Sequence, residues 1–377
     1  MADWTGTGFH IGELKIKAPV VQGGMGIGIS MSGLASAVAN EGGVGVISAA
    51  GVGVMAGGSG KLSEDRAGLR AEIARARSGT KGVLGVNIMV ALTNFEEMAR
   101  TAMEEKIDLI FAGAGLPLRL PEFRPEGCGT KLVPIVSSAR AADQISRWWF
   151  KRYRYLPDAF VVEGPKAGGH LGFHPEQIDD PDYRLEKIIP EVVAAVRPYE
   201  RTAGRNIPVI AAGGIFTGED IYRFLELGAS AVQMATRFVV TEECDADPRF
   251  KEAFVNCREE DIEIIKSPVG MPGRAIKNDF LASAAAGGKR PKFCPYHCIT
   301  SCRQEKGAYC ITDALVNACR GNLESGFVFI GANGGRVHEI TTVHGLMEEL
   351  AEEYQKAVLR GQELNTKSEV PLAGKGV

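Results

Sequence analysis

Residues 159–172 read AFVVEGPKAGGHLG, an apolar run followed at once by a glycine-rich turn. The run Ala159–Val162 is typical of a short buried strand. Glycine permits backbone angles and close approaches that a side chain would prevent, so the turn around Gly168 and Gly169 is suited to meet a ligand. The same pairing of strand and glycine turn recurs along the chain, and this recurrence predicts the fold.

Short apolar runs alternate with segments of helical periodicity. The predicted strands are Pro19–Gln22, Val44–Ser48, Leu84–Met89, Asp108–Ala112, Leu132–Val136, Ala159–Val162, Pro208–Ala211 and Ala231–Met234. The predicted helices are Ser32–Glu41, Glu64–Arg77, Asn94–Glu105, Ala139–Phe150, Leu185–Val196 and Gly218–Leu227. Parallel strands need crossover connections, so eight such units predict an α/β fold, a (β/α)8 TIM barrel. An open doubly wound sheet is the alternative, but its glycine turn would lie at one switch point.

The alternation stops after Phe238, and this predicts three parts. Residues 1–238 form the barrel, and residues 239–290 form a smaller appended helical lobe or lid with a loop at Ser267–Arg274. Residues 291–377 form a cysteine-containing C-terminal extension that packs on the barrel and includes a helix at Met347–Leu359.

The composition indicates a soluble, cytoplasmic protein. The 377 residues carry a formal net charge of −3, which gives no reason to expect nucleic acid or an anionic membrane as partner. No apolar run is long enough to span a bilayer, and Met1–Glu13 lacks the pattern of a signal peptide. The aromatic and basic run Trp148–Tyr155 is interpreted as a helix end with solvated cations. The eight cysteines are expected to be reduced.

In a barrel of this kind, the chemistry lies on the loops that follow the strands. His170 is the candidate catalytic residue, because an imidazole exchanges protons near neutral pH. The alternative is that His170 is a loop histidine whose ring is held by a hydrogen bond to a backbone carbonyl and has no catalytic function. Gly213 and Gly214 follow the seventh strand and Thr236 follows the eighth, where barrels often bind phosphate through backbone N–H groups. These residues predict a site for a phosphorylated cofactor.

Five separated motifs resemble one known family. They are Gln22–Met25, Gly85–Met89, Glu163–Gly172, Ala211–Ile215 and Thr236–Val240. In this order they are similar to the nitronate monooxygenases, formerly 2-nitropropane dioxygenases, a family that also contains FMN-dependent enoyl-ACP reductases. The resemblance covers about Pro19 to Asn278. It implies a barrel that binds FMN, with His170 facing a small-molecule substrate.

The resemblance also implies which residues bind the cofactor. Those near the isoalloxazine, the ribityl chain and the phosphate are Gly23, Gly24, Met25, Asn87, Glu163, Gly168, Gly169, Gly213, Gly214, Ala235 and Thr236. The implied activity is oxidation of alkyl nitronates with O2. The alternative is NAD(P)H-dependent reduction of an enoyl thioester, which is favoured by Leu171 because family monooxygenases often have a basic residue there. A binding protein without turnover and a homodimer are further hypotheses.

A cluster of four cysteines lies outside these motifs. Cys294, Cys298, Cys302 and Cys310 have the spacing Cys-x3-Cys-x3-Cys-x7-Cys. In a helix, residues four apart share a face, so the thiols could converge on an iron–sulfur cluster or on zinc. The spacing matches neither the usual zinc ribbon nor the bacterial ferredoxin run, and buried free thiols are the alternative.

Overall fold

Eight parallel strands close into a barrel in the computed structural model, which describes residues 2–368 except Pro295, Gln304 and Lys306. The barrel strands are β3 (Val20–Gln22), β4 (Val44–Ser48), β5 (Val83–Met89), β6 (Leu109–Gly113), β7 (Lys131–Val136), β8 (Phe160–Glu163), β10 (Val209–Ala212) and β11 (Ala231–Met234). Each pairs in parallel with the next, and β11 pairs with β3 to close the ring. The predicted TIM barrel is confirmed.

The barrel strands are continuous apolar runs because both of their faces are covered. All five residues of β4 and of β6 are buried. Side chains from alternate strand positions, such as Val46, Phe111 and Val161, form one buried cluster inside the ring. An antiparallel hairpin of β1 (Phe9–Ile11) and β2 (Leu14–Ile16) adds its apolar residues to that cluster. The interior is therefore a packed core, and ligands are confined to the ends of the strands.

Helices connect the strands on the outside of the barrel. They are α1 (Ser32–Asn40), α2 (Val52–Met55), α3 (Leu62–Gly79), α4 (Phe95–Glu104), α5 (Ala139–Tyr153), α6 (Leu185–Ala203), α7 (Gly218–Glu226) and α8 (Thr236–Val239). Helix α6 runs seven residues beyond its predicted end at Val196 and passes through Pro198. The hydroxyl of Tyr199 donates to Asp143 Oδ1 of α5 at 2.6 Å, and this tertiary contact stabilises the additional turns.

The segment after the barrel contains more than helices. It includes α9 (Pro248–Val255), β12 (Ile262–Lys266), β13 (Pro272–Ile276) and α10 (Asp279–Ala285). The two strands form a hairpin, and β13 pairs with the two-residue strand β9 (Gly169–His170) of the barrel's own loop. The lobe expected to be helical thus contributes a β-hairpin, and the expected lid loop is the tip of that hairpin.

The C-terminal extension packs on the barrel through two helices, α11 (Ile311–Cys319) and α12 (Val343–Ser368). Helix α12 is longer than the predicted Met347–Leu359, and it lies against α7, where the N–H of Gly218 donates to Glu353 Oε2 at 2.7 Å. Within the part of the chain that the structure describes, no helix is long and apolar enough to cross a membrane.

Candidate active site

A cavity of about 570 Å³ opens at the carboxyl ends of the barrel strands. His170 and all eleven residues expected to bind the cofactor line this cavity, from Gly23 on the first barrel loop to Thr236 on the last. The structure therefore brings the predicted catalytic and cofactor residues into one place, and the functions of the individual residues remain predictions.

His170 is held by both its backbone and its ring. Its backbone pairs with Gly273 of β13, and its Nε2 atom lies 2.7 Å from the hydroxyl oxygen of Ser267, at the end of β12. The ring also meets the ring of Phe329 edge-on, with 5.0 Å between the centroids. Burial lowers the pKa of His170 to about 4. The imidazole is therefore neutral at pH 7, which argues against a cationic His170 that holds a nitronate by charge.

The glycine turn after β10 folds against the turn after β8. Gly213 and Gly214 have φ angles of +97° and +83°, a region that residues with a side chain rarely adopt. A Cβ atom on Gly214 would lie 2.8 Å from the Cβ of Lys166. Lys166 also lines the cavity, so a cationic side chain accompanies the turn that was predicted to bind phosphate.

Two other glycines allow protein segments to approach each other. A Cβ atom on Gly24 would lie 2.3 Å from the Cβ of Asn87, so the first barrel loop can pack on β5 only without it. A Cβ atom on Gly168 would lie 2.6 Å from the carbonyl carbon of Ile330. The space that Gly168 leaves is filled by the C-terminal extension, whereas Gly169, with φ +75°, faces open space.

The loop Phe329–Asn333 is a wall of the cavity that the sequence analysis missed. The N–H of Gly331 donates to Thr236 Oγ1 at 3.2 Å, and Asn333 Nδ2 donates to the carbonyl of Gly214 at 2.6 Å. The sequence does contain a pattern that could have predicted this loop. The apolar run 327–330 is followed by Gly-Ala-Asn-Gly-Gly, as the barrel strands are followed by glycine turns.

Arg274 fixes the turn that carries His170. Its buried guanidinium donates from Nη1 to the carbonyls of Pro165 and Ala167, at 2.8 Å and 2.6 Å. Burial lowers the pKa of Arg274. The hairpin therefore supplies three contacts to one short loop: the strand pairing, the Ser267 hydroxyl and this guanidinium.

The cysteine cluster does not form the expected metal centre in the described residues. No group of three or more His, Cys, Asp or Glu side chains there could hold a metal ion. The helix that would have placed the thiols on one face is absent, since the described residues between Cys294 and Cys302 are irregular. Burial raises the pKa of the Cys310 thiol to about 11, and Thr312 Oγ1 donates to Cys298 Sγ at 2.9 Å. The structure gives no support to iron–sulfur or zinc binding.

Comparison with known proteins identifies the family. A family model described as nitronate monooxygenase matches residues 8–108 and 95–353. A nitronate monooxygenase from Pseudomonas aeruginosa is 30% identical over 74% of this chain and 82% of its own length. The chain belongs to the nitronate monooxygenase family.

Two further relatives show the range of proteins that this chain is similar to. A (3aS,4S,5R,7aS)-5-hydroxy-7a-methyl-1-oxo-octahydro-1H-indene-4-carboxyl-CoA dehydrogenase from Mycobacterium tuberculosis is 27% identical over 74% of this chain and 69% of its own length. The solved structure of FabK from Thermotoga maritima superposes with a TM-score of 0.71 and 29% identity, over 93% of this chain and 96% of that chain. Membership of this family makes the protein an oxidoreductase.

Proposed function

We propose that the protein is an FMN-dependent nitronate monooxygenase, which oxidises alkyl nitronates with O2. The observation that carries the proposal is the neutral His170, held 2.7 Å from Ser267 in a cavity lined by glycine turns. A single oriented imidazole beside a cofactor site is the arrangement that proton transfer to or from a small substrate requires. A cytoplasmic location and a homodimer are further parts of the proposal.

The residues at the strand ends fit FMN by their chemistry. Gly213 and Gly214 expose backbone in a turn, Thr236 offers a hydroxyl, and Lys166 offers a cation for the phosphate. The Asn87 amide lines the cavity and makes no side-chain hydrogen bond to a described residue, so it is available to the flavin or the ribityl chain. When bound, FMN supplies the electron transfer, and the protein supplies binding and orientation.

His170 acts on the substrate as a neutral base and hydrogen-bond donor. The Nε2 atom faces the Ser267 hydroxyl, and this contact restricts the rotation of the ring; because a hydroxyl both donates and accepts, it is compatible with either tautomer. The other nitrogen, Nδ1, would accept a proton from a nitroalkane in the tautomer where it is unprotonated, or donate a hydrogen bond to a nitronate oxygen in the tautomer where it carries the N–H. Phe329 and the buried side chain of Ser267 shield one side of the ring from water.

Reduction of an enoyl thioester with NADH or NADPH is the second candidate. Leu171 is 1% exposed, so the position after His170 presents no charge to a substrate. The outer part of the cavity is lined by apolar side chains such as Leu92, Ile299 and Leu315, which suit an acyl chain. The similarity to a protein named as a carboxyl-CoA dehydrogenase also supports a thioester.

Anaerobic stopped-flow absorbance separates the two candidates. The purified protein is mixed separately with an alkyl nitronate and with NADH or NADPH, and the flavin absorbance is followed. We expect rapid one-electron reduction of the flavin by the nitronate and no bleaching of the flavin by reduced nicotinamide. Fast bleaching by NADH or NADPH, reversed by an enoyl thioester, would establish the reductase instead. A protein that takes up no FMN would exclude both.

A further inference from the structure

Glu163 is a second titratable side chain at the base of the cavity. It is the last residue of β8, where it pairs in register with Ala212 of β10, immediately before Gly213 and Gly214. Its side chain is half-buried and lines the cavity. The strand end thus places a carboxyl group beside the turn that is proposed to hold the cofactor.

The Glu163 carboxyl makes no side-chain hydrogen bond or ion pair with any residue that the structure describes. The neighbouring strand β7 is apolar where it reaches this end, β10 ends in Ala212, and the side chain of α6 next to Gly164 is Leu185. The other titratable side chains of the cavity are Asp65, Lys166, His170, Tyr296 and Cys298. Burial is the one cause that raises the pKa of Glu163, to about 7, and no neighbouring charge contributes.

A carboxyl that is partly removed from water and has no partner costs more free energy when it is ionised than when it is protonated. The cost of ionisation rises further when negative charge develops nearby, because like charges repel strongly in a water-poor site. A cofactor that accepts electrons in this cavity is such a source of negative charge. The carboxyl of Glu163 is therefore placed to gain a proton as the cofactor is reduced.

We propose that Glu163 takes up one proton when the bound FMN is reduced and releases it on reoxidation. The electrons come from the nitronate, which gives one electron and is left as a radical, or, in the second candidate, from NADH or NADPH, which gives a hydride and becomes NAD+ or NADP+. The proton comes from solvent, converts the Glu163 carboxylate to a carboxylic acid, and returns to solvent when the electrons leave to O2 or to the enoyl substrate. The inference depends on the proposed function because it requires FMN in this cavity.

The test is the midpoint potential of the bound flavin as a function of pH, measured by anaerobic titration between about pH 6 and pH 9, the range around the raised pKa of Glu163. Wild-type protein is compared with Glu163→Gln, which keeps the shape of the side chain and cannot titrate. Glu176→Gln is the matched control, because Glu176 is an exposed carboxylate of the same β8–α6 connection. Released FMN is quantified for each protein.

We expect the midpoint potential of wild type and of Glu176→Gln to fall more steeply with pH than that of Glu163→Gln. The difference in slope should correspond to one additional proton per two electrons. Parallel slopes in proteins that all bind FMN would overturn this inference and leave the proposed function intact. If Glu163→Gln loses FMN, Glu163→Asp is measured in its place. The inference would be contradicted if the slope of midpoint potential against pH changes at the same pH in Glu163→Asp as in wild type. Wild-type protein without FMN would refute the inference together with the proposed function.

Discussion

His170 is neutral because it is buried, not because a charged neighbour sets its protonation. In the proposed function it exchanges protons with the substrate and does not bind the cofactor. Catalysis and cofactor binding should therefore respond differently when the ring is removed.

Replacing His170 by Ala should lower kcat by about 10²–10⁴-fold, the usual contribution of a positioned acid or base, with little loss of bound FMN. Steady-state kinetics and the FMN content of the purified variant measure the two effects. His338→Ala is the control, since His338 is exposed and lies outside the cavity. Equal losses of activity and FMN in His170→Ala would contradict a catalytic role.

Ser267 is a positioning residue that acts through His170. Ser267→Ala removes the 2.7 Å contact and should lower kcat about tenfold with a small change in KM, which corresponds to a net hydrogen bond of about 1.4 kcal/mol. Ser267→Thr retains the hydroxyl and should recover most of the lost rate. A threonine variant as slow as the alanine variant would indicate that packing of the hairpin, and not the hydroxyl, is what matters.

Glu163 makes the stability of the protein depend on pH. Its pKa in the folded protein, about 7, is raised above the ordinary value of 4.5, so the folded state holds this proton more tightly than the unfolded state. The stabilising contribution is present below about pH 4.5 and is lost as the pH rises to 7. Glu163→Gln should therefore be more stable than wild type by about 3 kcal/mol at pH 8, since the pKa is raised from 4.5 to about 7 and each pKa unit corresponds to about 1.4 kcal/mol. Urea unfolding at pH 8 and pH 5 checks this, and a difference that is the same at both pH values would contradict it.

At the scale of elements, the glycine turn after β10 combines two constraints. Gly214 has a positive φ, and its missing side chain leaves room for Lys166. Gly204, at the end of α6, also has a positive φ, of +64°, but no atom lies within 4 Å of the position of a Cβ. A substitution at Gly204 therefore tests backbone strain alone, whereas a substitution at Gly214 tests backbone strain together with close contact to Lys166.

Both Gly214→Ala and Gly204→Ala should lose about 1 kcal/mol of stability from the strained backbone. Only Gly214→Ala should also weaken FMN binding, by about tenfold or more, because the Lys166 side chain and the turn must move. Thermal unfolding and fluorescence titration of FMN into flavin-free protein measure the two effects. Equal FMN affinity in both variants would show that the turn does not contact the cofactor.

The elements that could be predicted from sequence are those with a local signal. Strand β4 and helix α5 are buried runs or periodic segments between clear turns, and both were located to within a few residues. Strand β9 has two residues, and it is a strand only because β13, a hundred residues later, pairs with it. No local pattern encodes that pairing, so Ser267 was placed in a lid loop and its contact with His170 was not foreseen.

At the scale of the whole molecule, the three predicted segments are interleaved. The hairpin from the middle segment pairs with a barrel loop, and the loop Phe329–Asn333 from the C-terminal extension forms one wall of the cavity. The side chains of Leu346, Met347 and Leu350 on α12 are fully buried. The barrel motifs predicted which residues bind the cofactor, but only the tertiary structure reveals that the extension forms part of the cavity wall.

A chain that ends after residue 290 should not fold to a stable, FMN-binding barrel, because it loses α12 and the wall at Phe329–Asn333. A chain that ends after residue 368 retains every described element and serves as the control. Circular dichroism, thermal unfolding and FMN content compare the two. A shorter chain that unfolds cooperatively with FMN bound would show that the barrel is an independent domain.

The pairing of β9 with β13 also limits how a ligand can reach the cavity. His170 and its partner Ser267 are tied to the same small sheet, so lifting the hairpin would separate the backbone of the histidine from Gly273. The rim formed by Leu62, Leu116 and Tyr296 belongs to other segments and includes partly exposed apolar side chains. A substrate that arrives over this rim would meet His170 already in place, and its entry and release would leave the contact of His170 with Ser267 undisturbed.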